Sequence, residues 1–267
     1  MTKPVFAPCV VIPIFNHAAT VPALLEQLSS YRLPCILIND GSDGDATEYL
    51  RRLVEEQPGL ILEEQFPNQG KGAAVMRGLR KAGDLGYSHA VQVDADGQHR
   101  VEDLPRLLDA ARTFPEALVT GIPIYDHSVP RGRLIGRYVT HFWVWVETLS
   151  LRIRDSMCGF RVYPLAGTLA LVDQVALGKR MDFDTDIMVR LYWRGLKVIS
   201  IATRVIYPED GTSNFRLWRD NCSITWMHTR LVLGMLPRIP LLLWRNLTGY
   251  YRLDRVDGLD RDEKAGP

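Results

Sequence analysis

The stretch CVVIPIFNHAATVPALLEQLSSYRLPCILIND, residues 9–40, decides the fold. Cys9 to Ile14 is a compact apolar run set off by prolines, which reads as a buried strand. Thr20 stands where a helix over roughly 21–31 would be capped, with Pro22 in its first turn. Cys35 to Ile38 is a second apolar run. The stretch is therefore strand, helix, strand. Apolar runs without alternation suit strands covered on both faces, as in a parallel sheet.

The same alternation continues outward. Asp45 and Glu48 open a helix near 46–57 with acids in its first turn. Leu60 to Leu62 reads as a third strand, His89 to Val93 as a fourth and Leu118 to Thr120 as a fifth. Helices are expected over Lys71 to Ala82, Val101 to Arg112 and Asp182 to Arg194, and a further strand over Lys197 to Tyr207. The fold class is α/β, a mostly parallel sheet flanked by helices. Ligands of such sheets bind beyond the carboxyl ends of the strands. The polar clusters Phe15-Asn16, Asn39-Asp40 and Asp94-Ala95-Asp96 fall there.

Composition narrows the class. The 267 residues carry 32 Lys and Arg against 31 Asp and Glu, a net charge of +1. That balance offers nucleic acid no basic footprint, and none is expected as a partner. Cys9, Cys35, Cys158 and Cys222 form no CxxC pair, so reduced thiols are expected rather than zinc or a disulfide framework. The first residues are broken by Pro4, Pro8 and Pro13 and do not read as a signal peptide. No run approaches the roughly 20 apolar residues of a membrane span.

Asp94, Asp96 and Gln98 carry the sharpest chemistry. In an extended segment they would point one way. Three oxygens there suit Mg2+ or Mn2+, which takes a few carboxylates plus substrate phosphates. A calcium loop is excluded, because Pro105 stands where its final Glu belongs. Asn68-Gln69-Gly70-Lys71-Gly72 allows close approach to an anion, yet lacks the Ser or Thr of a P-loop. No glycine precedes Gly41, so a dinucleotide-binding fingerprint is absent too.

PIFN, NDGS, NQGKGAA, DADGQH, a GFR loop and DFDTD follow one another in one order. That order resembles family 2 glycosyltransferases of GT-A (Rossmann-like) fold, within the dolichol-phosphate-mannose-synthase-like branch. The resemblance covers roughly residues 8–215. It implies a nucleoside pocket from Pro13, Phe15, Asn16 and Asp40, with Lys71 on the donor wall. It implies Mg2+ or Mn2+ held by Asp94, Asp96 and Gln98 against the donor diphosphate, Ala95 also lining the nucleotide-sugar site. It implies inversion at the anomeric carbon, with Asp186 favoured as base and Asp184 as the alternative. Arg131, Arg133 and Arg137 resemble the acceptor loop, and Arg161 the arginine of the SGFR loop, also an acceptor contact. Two departures point to a different donor or acceptor. Cys158 replaces the usual Ser, and Glu209 to Asn214 lacks the basic residues found there in the branch.

The expected activity is metal-dependent, inverting transfer of a sugar from a UDP- or GDP-linked donor to a lipid-linked acceptor. The acceptor would be a polyprenyl phosphate or the hydroxyl of a lipid or polyene. The alternatives are a sugar-nucleotide nucleotidyltransferase, whose Gly-rich loop is missing, and a non-catalytic nucleotide-sugar or lipid-binding module. Five of six tryptophans lie in two arginine-bearing segments, around 128–151 and 216–246. Such segments suit a bilayer interface. The expected organisation is a catalytic domain over 1–215, interfacial amphipathic helices over 216–250 and a disordered tail over 251–267. The expected location is peripheral, on the cytoplasmic face of the inner membrane, with a homo-oligomer left open.

Overall fold

The computed structural model describes residues 5–124, 131–204 and 217–252, with backbone only at 131–135 and 217. Seven strands form one sheet among these residues: β1 (Pro8–Ile14), β2 (Cys35–Asp40), β3 (Leu60–Gln65), β4 (His89–Gln92), β5 (Leu118–Ile124), β6 (Arg161–Pro164) and β7 (Val198–Arg204). Their order is β3-β2-β1-β4-β6-β5-β7. All pairings are parallel except those of β6, which runs antiparallel to β4 and β5. The chain winds from β1 outward through β2 to β3, then returns to place β4 on the other side of β1. A crevice opens where the winding reverses.

The helices are α1 (Val21–Ser29), α2 (Gly44–Glu56), α3 (Lys71–Asp84), α4 (Leu104–Thr113), α5 (Arg131–Thr148), α6 (Leu165–Val172), α7 (Phe183–Trp193), α8 (Leu217–Met235) and α9 (Ile239–Leu247). Alternate residues of β1 feed two cores. Cys9 and Val11 pack with α3, α6, α7 and α8, while Val10, Ile12 and Ile14 pack with α1, α2 and α4. The period of two thus covers the sheet on both sides.

Several local expectations change. Thr20 makes no capping bond to α1; its hydroxyl donates to the carbonyls of Ala95 and His17. It therefore ties the β1–α1 turn to the loop after β4. The cap of α2 is Asp43, which accepts from Ala46 N at 2.9 Å, so the helix starts before Asp45. β5 runs on to Ile124 because β7 pairs with it along its whole length. Cys9, Cys35 and Cys158 are free and buried, and Cys222 is free and exposed.

The segment after β7 breaks where its prolines require. α8 ends in a 3-10 turn over Leu236–Arg238, and α9 follows with Pro240 in its first turn. α8 is amphipathic: Asp220, Met227, His228, Leu231 and Met235 are buried on one face. Trp218, Trp226 and Leu233 lie exposed on the other. No helix among the described residues is long and apolar enough to cross a membrane. The expected disordered tail over 251–267 does not begin at 251, because Tyr251 is buried, stacks on Tyr192 and donates to its carbonyl at 2.8 Å; 253–267 lie outside the described residues, as do 209–214.

Candidate active site

Beyond the carboxyl end of β4 a partly buried cation lies between two carboxylates. Lys71 is the first residue of α3, and its Nζ donates to Asp94 Oδ2 at 2.8 Å and to Asp184 Oδ2 at 3.0 Å. Gln92, the last residue of β4, repeats the bridge. Its Nε2 lies 3.3 Å from Asp94 Oδ1 and 3.3 Å from Asp184 Oδ1. Tyr163 of β6 donates to Gln92 Oε1 at 2.9 Å and so fixes which way the amide faces. Burial alone would lower the Lys71 pKa, but the charges of Asp184 and Asp94 raise it well above the ordinary range. Burial alone would raise the Asp94 pKa, but Lys71 and His99 hold it well below the usual carboxylate range. The lysine stays charged, and Asp94 stays an anion.

Backbone geometry makes the close approach feasible. Gly70 caps α3 at φ +105°, and a Cβ there would sit 2.5 Å from Lys179 O. Gly159 lies against Asp94, and a Cβ there would fall 2.2 Å from Asp94 Oδ2. The 155–161 loop therefore forms a wall of the carboxylate site that only a glycine allows.

Asp96 and Gln98 do not continue β4 in extended form. The chain turns at Ala95 and Asp96, and Gly97 has φ +71°. Asp96 accepts from Gln98 N at 3.0 Å, an Asx-type turn that brings the motif back on itself. Burial and the charge of Asp94 raise the Asp96 pKa. Asp94 and Asp96, two carboxylates close enough to repel each other, and the amide of Gln98 are of the oxygen-donor type that suits Mg2+ or Mn2+. Among the described residues no group of three or more His, Cys, Asp or Glu is arranged to hold a metal. Such a set leaves coordination positions for donor phosphates.

Asp40 has a different place from the expected pocket wall. Its Oδ1 accepts from Gln65 Nε2 at 2.6 Å and Gln69 N at 2.8 Å. Its Oδ2 accepts from Asn68 Nδ2 at 2.9 Å and Gly70 N at 2.8 Å. These fill the roughly four acceptor positions of a carboxylate. Asp40 shapes the loop that delivers Lys71, and contact with a base or ribose would require one of these bonds to exchange. Asn16, at φ +56°, accepts from Asp43 N at 2.9 Å through its side chain, and its own backbone N–H donates to Ser42 Oγ at 3.0 Å. With Pro13 and Phe15, it lies at the carboxyl end of β1, and Ala95 is buried beyond β4.

The two acids of α7 part company. Asp184 is in the centre just described. Asp186 is fully buried on the opposite flank, where it accepts from Arg190 Nε at 2.5 Å and Gly178 N at 2.9 Å, with Arg230 of α8 at 3.5 Å. The favoured base thus lies in a structural ion cluster, and the alternative faces Lys71.

Arg161 is also displaced from its expected role. Its side chain is 0% exposed, and it donates to Asp184 O and Ser156 O, each at 2.5 Å. It cannot reach an acceptor without unfolding this pocket; it braces the Asp184 turn. Arg137 is partly exposed and donates to Asp155 Oδ2 at 2.5 Å. The side chains of Arg131 and Arg133 lie outside the described residues. Burial, then the charge of Asp155, pushes the Cys158 thiol up to about 12, so it is a neutral spacer. Gln92 and Tyr163 carry no motif that marks them in the sequence, whereas Gly159 belongs to the GFR loop. A Gln closing the apolar run of β4 was the available sign.

The sequence matches the family described as Glycosyl transferase family 2 over residues 9–180. It is 27% identical over 213 residues to an undecaprenyl-phosphate mannosyltransferase of Micrococcus luteus, covering 76% of this chain and 85% of that one. The fold resembles glucosyl-3-phosphoglycerate synthase from Mycobacterium tuberculosis, with TM-score 0.62, 16% identity and coverage of 88% and 80%. It also resembles a mannosyltransferase from Pyrobaculum calidifontis solved with GDP-Man and Mn2+, with TM-score 0.53, 15% identity and coverage of 95% and 78%. The crevice with its Asp94–Lys71–Asp184 centre sits on the sheet these folds share, and the chain is a glycosyltransferase belonging to Glycosyl transferase family 2.

Proposed function

We propose that the protein transfers a sugar from a nucleotide-sugar donor, UDP- or GDP-linked, to a polyprenyl phosphate at a membrane surface, with inversion and with Mg2+ or Mn2+. The observation that carries this is the Asp94–Lys71–Asp184 centre beside the Asp96 turn. Asp94, Asp96 and Gln98 would hold the metal, which offsets the charge of the departing diphosphate. Lys71 adds a fixed positive charge at the same place. Asp184, rather than Asp186, is the acid available to the reaction. A phosphate acceptor is already an anion, so Asp184 serves first to orient Lys71; for a hydroxyl acceptor it is the base. Pro13, Phe15, Asn16 and Ala95 line the nucleoside side.

The phosphate acceptor is favoured over a lipid or polyene hydroxyl by similarity to the undecaprenyl-phosphate enzyme and by the partly exposed guanidinium of Arg137 on α5. Residues 1–215 are read as the catalytic domain and 216–250 as an interfacial segment. Tyr138 and Phe142 of α5, Trp226 of α8 and Trp244 and Leu247 of α9 are exposed apolar side chains suited to a bilayer interface. The enzyme would then sit peripherally, on the cytoplasmic face where nucleotide sugars are made.

The test incubates the full chain and Mn2+ with GDP-mannose, UDP-glucose or UDP-GlcNAc and vesicles. Sugar should appear in the lipid fraction with undecaprenyl phosphate and not with phosphatidylcholine alone. Transfer to neither, with donor hydrolysis intact, would overturn the acceptor reading.

A further inference from the structure

Asp155 is a buried carboxylate that the proposed chemistry does not use. It is 2% exposed, and four groups converge on it. Its Oδ1 accepts from Met157 N at 2.9 Å and Cys158 N at 2.8 Å. Its Oδ2 faces Arg137 at 2.5 Å and His141 Nε2 at 3.3 Å, both from α5. Arg137 keeps part of its side chain in solvent, so this pair is buried on the Asp155 side and open on the other.

The loop beyond Asp155 reaches both acids of the active centre. Gly159 leaves no room beside Asp94, and Arg161 joins Ser156 O to Asp184 O. Asp155 is thus the point where α5 is fastened to the wall of the carboxylate site.

We propose that Asp155 is an internal anion occupying the seat of the acceptor's phosphomonoester, and that the incoming phosphate competes with it for Arg137 and His141. The inference rests on the acceptor reading above. A guanidinium beside an imidazole suits a phosphate as well as a carboxylate. In the free enzyme Asp155 keeps these groups paired and the loop drawn in. When the phosphate takes Arg137, the Oδ2 contacts lapse and the loop bearing Gly159 loosens against Asp94. Acceptor arrival is thereby felt at the donor-phosphate site. Asp155 is a positioning residue in this scheme.

Removing the internal anion should strengthen phosphate binding, which loss of a merely structural group would not do. Full-length protein is sedimented with phosphatidylcholine vesicles with and without undecaprenyl phosphate. Asp155→Asn, whose amide oxygen still accepts from Met157 and Cys158, should bind the phosphate-bearing vesicles at least threefold more tightly than wild type. It should bind plain vesicles equally. Asp155→Glu, which restores the anion, should return to the wild-type value. A separate arm adds inorganic phosphate: competition shows that the seat takes the free ion, and its absence that the lipid is needed.

Hydrogen exchange on wild-type protein tests the same point without a variant. Amides of 155–161 should exchange faster with undecaprenyl phosphate present. Equal or weaker binding by a folded Asp155→Asn, or unchanged or slower exchange in 155–161, overturns the inference. Wild-type protein that ignores undecaprenyl phosphate altogether would instead overturn the acceptor reading.

Discussion

The two flanks of α7 hold carboxylates two residues apart, equally hidden and differently surrounded. Toward the sheet, Asp184 shares Lys71 with Asp94, and Gln92 spans the same two acids. Toward α8, Asp186 is held by Arg190, Gly178 N and Arg230. On the α8 side two guanidinium groups face one carboxylate. On the sheet side Lys71 serves both Asp94 and Asp184, Arg161 stands 3.9 Å from Asp184, and Asp96 adds a third carboxylate close enough to feel Asp94. An excess of negative charge invites a cation, and a fully paired cluster invites nothing. That difference, more than burial, separates a site from a brace.

The comparison breaks most readily at the acids themselves. Asp184→Asn should lower kcat/KM by about 10²–10³-fold, in line with losing one group that fixes a transition-state charge. Its thermal midpoint should stay close to wild type. Asp186→Asn should do the reverse. Removing one partner of a buried ion cluster costs roughly 3–5 kcal/mol. Differential scanning calorimetry should show a midpoint lower by about 10 °C, at a few degrees per kcal/mol. Activity per folded molecule should change little. If the two phenotypes exchange, Asp186 is the functional acid.

A smaller effect is expected at the wall of the site. Gly159→Ala forces Asp94 aside, so Mn2+ affinity followed by titration calorimetry should drop by about tenfold, one decade being ~1.4 kcal/mol. Unchanged affinity would mean that Asp94 moves freely. The sign of the pH dependence follows from Asp96. Its pKa is raised by burial and by Asp94, and a ligand must be deprotonated. Mn2+ affinity should therefore fall as pH decreases, starting above the ordinary carboxylate range. Titrations at stepped pH would show this, and Asp96→Asn should remove that part of the fall. The smallest effect is expected at the outer face. Trp226→Ala or Trp244→Ala should weaken vesicle sedimentation a few-fold while leaving Mn2+ binding unchanged.

Much of this architecture is legible in the sequence, for physical reasons. Apolar runs such as Cys9 to Ile14 and Cys35 to Ile38 mark strands because both sheet faces are covered. The polar residues that end those runs mark the crevice because ligands bind at strand carboxyl ends. Helical geometry also tells that Asp184 and Asp186 diverge, since residues two apart lie about 200° apart around the axis. It cannot tell which one meets Lys71, because that depends on how α7 rolls against α3 and α8. Asp40 shows the same limit. Its place at the end of β2 is plain, but its four donors come from residues 25–30 positions later. Arg161 is expected as an acceptor contact only through the resemblance, and the antiparallel pairing of β6 with β4 places it opposite Gln92 in the sheet. Spacing alone makes the Asp94–Gln98 motif an extended one, whereas the Asp96 carboxylate accepts from Gln98 N and bends the chain.

The most direct test of the central account is nucleotide-sugar turnover with and without Mn2+, in wild type and in Asp96→Ala. The structure predicts turnover that requires the metal and falls by about 10²-fold or more in the variant, since the loss of one ligand removes much of the charge offset at the leaving diphosphate. Turnover that ignores both the metal and the Asp96 substitution would contradict the assignment of this turn as the metal site.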